Sequence, residues 1–356
     1  MCAQNNMRCV ALTQKVATIY SNNAFANVDL KKTIRVIIHF PLDSHGGGNF
    51  TEIKDCNGNV SDYNGYWFAD KFVERANICL KNNKRMSQQL SYKSIPLKPI
   101  NLQIELAGVV FHRDDKLFHK VIENNKTRIA NETTIRRASD IVDNDIREDA
   151  IHVFLYKGCW GYGIAELSGN VCVVQGVDDV YNGFFRDSMN DWYFDGWIVR
   201  LSLHEIGHCL SLKHPKYNYN NKNDPRNYTY DDDCDDTPTF KELINDGFED
   251  PCVWNDEKSS NNVMDYNASQ SAWTPCQIET AHKNIAQRVY LYANAFKNYS
   301  TTLTSSVNHD NKVVIAKKVV AKNISVSNNK ALFVNCNEFQ TSGTFEVALG
   351  STLEIK

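Results

Sequence analysis

His204-Glu205-Ile206-Gly207-His208 sets two imidazoles four residues apart, and a third histidine, His214, follows six residues later. Residues four apart share one face of a helix, so His204 and His208 can present two ring nitrogens to one ion about 2.0–2.1 Å away. Glu205 lies beside that face without being a ligand, where its carboxylate can take a proton from a metal-bound water. His214 precedes Pro215, which drives it towards extended backbone and off the helix. A ligand arriving from outside the helix completes a three-histidine set for Zn²⁺ and leaves the fourth position to water. The five-residue motif alone also arises by chance on surface helices. The third histidine, the apolar Ile198, Val199, Leu203 and Leu210, and a downstream Asn262-Val263-Met264-Asp265-Tyr266 argue against chance.

These residues need a scaffold, and the hydrophobic patterning supplies one. Apolar runs predict strands over 33–40, 102–111, 150–156 and 171–177. Phe72, Val73, Ala76, Cys79 and Leu80 recur at helical spacing and predict an amphipathic helix over 70–89. A charged, helical segment is expected between the second and third strands. The histidine motif sits on a helix over 197–212, which Pro215 bars from continuing. An Asn-, Asp- and Tyr-rich stretch over 216–260 follows, with one short helix at 240–245, and a loop of that length in a compact domain is usually functional. Pro275 and the periodic Ile278, Ala281, Ile285, Val289 and Leu291 predict a last long helix ending near Tyr299. Beyond it the chain changes to short alternating strands. Strands first and helices later make the fold class α+β, with an N-terminal segment over 1–30, a main domain over 31–300 and a small β-rich module over 301–356.

Composition removes other classes. The chain has 356 residues, 42% hydrophobic and 23% charged, with a formal net charge of −3. That excludes a disordered chain and a polybasic nucleic-acid binder. No apolar run reaches the ~18 residues of a membrane helix. The 11 cysteines contain no CxxC pair, which argues against a zinc ribbon, and their odd number leaves at least one thiol unpaired unless it bonds to another chain. Residues 1–10 show no signal-peptide pattern, so the protein is expected either inside the cell or exported with its signal removed.

With these motifs in view, the sequence resembles the metzincin metalloproteases, and within them the pappalysin family. The resemblance runs from about residue 33 to 297. It rests on His204-Glu205-Ile206-Gly207-His208 with His214, on Asp231-Asp232-Asp233-Cys234-Asp235-Asp236-Thr237-Pro238, on Val263-Met264-Asp265-Tyr266, and on the fainter Gly161-Tyr162-Gly163 and Thr274-Pro275-Cys276-Gln277-Ile278. It implies a zinc-dependent endopeptidase acting on proteins or peptides, with a twisted mixed sheet and the zinc helix above a cleft, and a methionine turn and C-terminal helix below it. By that likeness Met264 floors the zinc site and Tyr266 stabilises the oxyanion. Ser211 stands where the family has glycine. Asp232 and Asp236 belong to an acidic run suited to Ca²⁺. The family also implies disulfides near the methionine turn, here Cys252 with either Cys234 or Cys276, and Arg8-Cys9 is similar to a pro-segment whose thiol blocks the metal. The resemblance favours a secreted or cell-surface protein, and the chain is expected to be bacterial, its Asn-x-Ser/Thr triplets unused. The 301–356 module resembles β-rich extensions of secreted Bacteroidetes proteins. The competing expectation is a non-catalytic binding protein with a structural metal site and a C-terminal adhesive module.

Overall fold

The computed structural model describes residues 28–29, 31–118, 121–123, 126–128, 132–145, 150–158, 162–215, 232–247, 260–265, 270–287, 300–304, 306–307 and 312–355. They fall into two compact units, one taking in 31–147 and 151–281, the other 282 onwards together with 148–150 and the residues before 31.

The larger unit is built on β1 (Lys32–Leu42). Ile34, Val36, Ile38, Phe40 and Leu42 point to one face and Ile37 and His39 to the other, all at most 3% exposed. Such burial on both faces belongs to a strand inside a parallel sheet. The sheet order is β2 (Leu102–Arg113), β1, β5 (Ile151–Tyr156), β7 (Val171–Gln175) and β6 (Gly163–Ala165). The first four are parallel, and β6 closes the edge antiparallel to β7. A separate hairpin joins β3 (Val121–Glu123) and β4 (Lys126–Arg128).

Helices cover both faces. On the Phe40 face lies α1 (Gly65–Lys81), whose Phe68 meets Phe40 and Phe50 with ring centroids 6.2 and 4.7 Å away. On the other face Ile135, Ala138 and Val142 of α2 (Glu132–Asp145) pack with Phe154, Tyr156, Val171 and Val173. The α1 helix starts and ends earlier than its periodicity predicts. Asn64 caps it by accepting from the Tyr66 and Trp67 N–H groups, and beyond Asn82 the side chain of Asn83 is drawn off to the backbone of Lys98 and Trp273. Tertiary hydrogen bonds there override helical spacing. The 171–177 run likewise stops as a strand at Gln175, because Gly176 takes φ +115° and opens α3 (Val177–Arg186), whose first turn carries Asp178 and Asp179 where negative charge suits the helix dipole.

In the smaller unit β8 (Ser300–Leu303), β9 (Lys312–Val326), β10 (Ala331–Val347) and β11 (Thr352–Ile355) form one sheet in the order β11-β10-β9-β8, parallel throughout. Leu332 pairs with Lys312 and Thr352 with Ala331. Parallel neighbours joined by only a few residues require the chain to coil back over itself. The coil encloses Val319, Ala321, Ile324, Val326, Leu332 and Val334. Among the described residues no helix is long and apolar enough to cross a membrane.

Candidate metal centre

The histidine helix is tied at both ends. It begins as a π-helical segment, Phe194–Val199, that runs into α4 (Arg200–Cys209). Asp195 in that segment receives the Arg75 guanidinium from α1, with Nε to Oδ1 at 2.7 Å, and Arg75 also reaches Asp191 at 2.8 Å. At the far end the Leu212 N–H donates to Gly207 O and the Ser211 N–H to His208 O, both at 2.9 Å, which is a Schellman closure. Ser211 carries the left-handed φ of +72° that this closure requires. The chain then reverses and brings His214 back over the helix.

Three imidazole nitrogens converge there. His214 Nε2 lies 3.0 Å from His204 Nε2 and 2.9 Å from His208 Nε2, and one nitrogen of each ring falls within 4.8 Å of the others. His204 Nδ1 donates to Val263 O and His208 Nδ1 to Leu212 O, each at 2.8 Å, so both Nε2 atoms keep their lone pairs. Burial holds all three neutral, helped at His204 and His214 by neighbouring imidazoles: His204 falls well below the usual histidine range, His208 falls below it and His214 drops to about 3. Three neutral imidazoles aimed at one point form a donor set that fits Zn²⁺.

Glu205 is 4% exposed, and burial pushes its carboxyl up to about 8. Met264 is fully buried, with its Sδ only 2.6 Å from where a Cβ on Gly207 would stand. The Met264 N–H donates to Asn262 Oδ1, while Asn262 and Gln277 exchange paired amide hydrogen bonds at 2.9 and 3.0 Å. This amide pair fastens the methionine segment to α6 (Pro275–Gln287). The expected oxyanion residue, Tyr266, lies outside the described residues, as do Cys9, Cys252 and Asp231.

The disulfide expectation is corrected. Cys234 bonds to Cys276 itself, with Cα atoms 5.5 Å apart, and neither takes Cys252. Cys276 sits in the first turn of α6, where its N–H also donates to Asp236 Oδ2 at 2.8 Å, a second link between segments about 40 residues apart in sequence. Asp232 accepts from Thr237 Oγ1 and from the Cys234 N–H. Asp232 closes a turn, whereas Asp236 ties the acidic segment to the first turn of the last helix through Oδ2 and keeps a buried Oδ1 without a hydrogen-bond partner among the described residues.

A second histidine group escaped sequence reasoning. His39, His112 and His152, on three adjacent strands, form a line: His39 Nδ1 is 2.7 Å from His112 Nε2 and His39 Nε2 is 2.9 Å from His152 Nδ1. Each contact uses a different ring nitrogen, so one proton per contact satisfies the line and no single point collects three lone pairs. Alternation within the strands was the one available signal, but only the sheet order reveals that the three are neighbours.

The chain matches no known family model and no curated protein. Among solved structures it is similar to mature mirolysin of Tannerella forsythia in complex with a cleaved peptide, at 14% identity and a TM-score of 0.40, over 73% of this chain and 97% of that one. The described geometry defines a mixed α/β protein carrying a three-histidine group that can hold a metal ion.

Proposed function

We propose that the protein is a zinc-dependent endopeptidase, with His204, His208 and His214 holding Zn²⁺ and Glu205 moving the proton. One observation carries this reading: a buried carboxylate stands directly after the first of three converging, neutral imidazoles. Closed structural zinc sites recruit four protein ligands, whereas three histidines leave room for water. When bound, zinc supplies a Lewis acid that lowers the pKa of water and polarises a carbonyl. Glu205, protonated at neutral pH when burial alone acts on it, ionises more readily beside a cation. Its carboxylate then accepts a proton and later delivers it to the leaving amine nitrogen. Tyr266 is our proposed donor to the oxyanion. Proteins or peptides are the proposed substrates, since β6 pairs on one side only among the described residues and an extended segment can add to such an edge. The Cys234–Cys276 disulfide favours an oxidising, extracellular setting.

Casein or a peptide library incubated with wild type, with a Glu205→Ala variant and with chelator-treated protein tests the proposal. Cleavage is expected from wild type alone, with Glu205→Ala retaining its zinc and losing about 10²–10⁴-fold in rate. Equal cleavage by wild type and variant, or none from either with zinc bound, overturns it.

A further inference from the structure

We propose that Gly163 is a positioning residue for Glu205, present because the carboxylate occupies the space of a side chain there. The inference rests on the reading of Glu205 as the proton carrier. Gly163 opens β6 and pairs with Val174 of β7 in ordinary strand backbone, so the freedom of glycine to adopt a left-handed φ is not what the position uses. Space is. A Cβ at 163 would stand 2.3 Å from Glu205 Oε1, 2.7 Å from Cδ and 2.8 Å from Cγ, all inside the distance at which real Cβ atoms are found.

No hydrogen bond from the described residues guides the carboxylate, while α4 beneath it is pinned by the Arg75–Asp195 pair and by the Schellman closure. The backbone of Glu205 is therefore fixed, and the end of its side chain lies in the space that a Cβ at Gly163 would fill. A methyl group there leaves the helix and the three imidazoles in place and moves the carboxylate by about 1 Å, a displacement that costs on the order of 10²-fold in a proton-transfer geometry.

The experiment is a double-mutant cycle between Gly163→Ala and Glu205→Asp, whose carboxylate is one methylene shorter and withdraws from the new methyl. Gly163→Ala is expected to lower kcat at least ~10-fold, with KM and the zinc affinity measured by chelator competition within about threefold of wild type. In the Glu205→Asp background the same change should cost less than about twofold. A second cycle, with Glu205→Ala, reads the melting of the metal-free protein. There Gly163→Ala should lower Tm by about 2–4 °C when Glu205 is present and by less than 1 °C when it is not. Full activity in Gly163→Ala, or equal losses in both backgrounds, overturns the proposal. Absence of proteolysis in wild type would instead overturn the endopeptidase reading, and the melting cycle would still decide the contact.

Discussion

Ser211 holds a backbone conformation that L-residues avoid, and it does so to turn the chain from the histidine helix towards His214. Its hydroxyl meets Ser168 Oγ at 2.7 Å on the surface, a bond worth little in water. Ser211→Gly removes the left-handed strain, worth about 1 kcal/mol, and loses that exposed bond. A net gain of about 0.5 kcal/mol is expected in denaturant titration of the metal-free protein, and Ser211→Val should lose at least 1 kcal/mol, since a branched side chain tolerates that φ worst. A destabilised Ser211→Gly would show that the hydroxyl, not the backbone, decides the turn. This residue was legible in the sequence because its neighbours are local: the histidine spacing, Pro215 and the missing glycine all lie within a dozen positions. Gly163 and the Asn262–Gln277 pair were not legible as parts of the site, because their meaning comes from residues 42 and 15 positions away in sequence and adjacent only in the fold.

At the scale of elements, hydrophobic periodicity located the core strands and the short α5 (Phe240–Asn245), whose Thr239–Glu242 capping box is a local signal. It misjudged the ends of α1 and overlooked α3, where a left-handed glycine and tertiary hydrogen bonds decide. The coil of parallel strands in 300–355 reads in sequence as short alternating segments, because alternation records which side is buried and not whether neighbours run parallel. The disulfide shows the same limit, since three nearby cysteines do not specify a pair. Cys234–Cys276 joins the acidic turn to the first turn of α6 across 42 residues of sequence. Closing a loop of that length contributes about 4 kcal/mol in the chain-entropy account. Cys276→Ser should therefore lose about 2–4 kcal/mol in denaturant titration under non-reducing conditions, and a reductant should bring wild type to the same value. If wild type is indifferent to reductant while the variant is weakened, packing of the thiol and not the bond holds the turn.

For the molecule as a whole, the three buried histidines couple folding to pH. Each has its pKa lowered in the folded state, so between its folded value and the ordinary value near 6.5 the unfolded chain binds more protons than the folded one. The contribution of these three histidines to the stability of the metal-free protein is then fully present above about pH 6.5 and is lost as pH falls. For His214 the window extends down to about 3, at a slope approaching 1.4 kcal/mol per pH unit. Replacing His214 by Gln removes its share. Between pH 6 and 4 the variant's stability, followed by denaturant titration with tryptophan fluorescence, should fall less steeply than wild type by about 1 kcal/mol per unit. Zinc binds only the neutral imidazoles, so saturating zinc should raise wild-type stability most at neutral pH and progressively less in acid, with little gain in His214→Gln. Identical slopes in the two metal-free proteins would mean that His214 is protonated as readily in the fold as in water. The neutrality on which the three-histidine donor set depends would then have to come from the metal and not from burial.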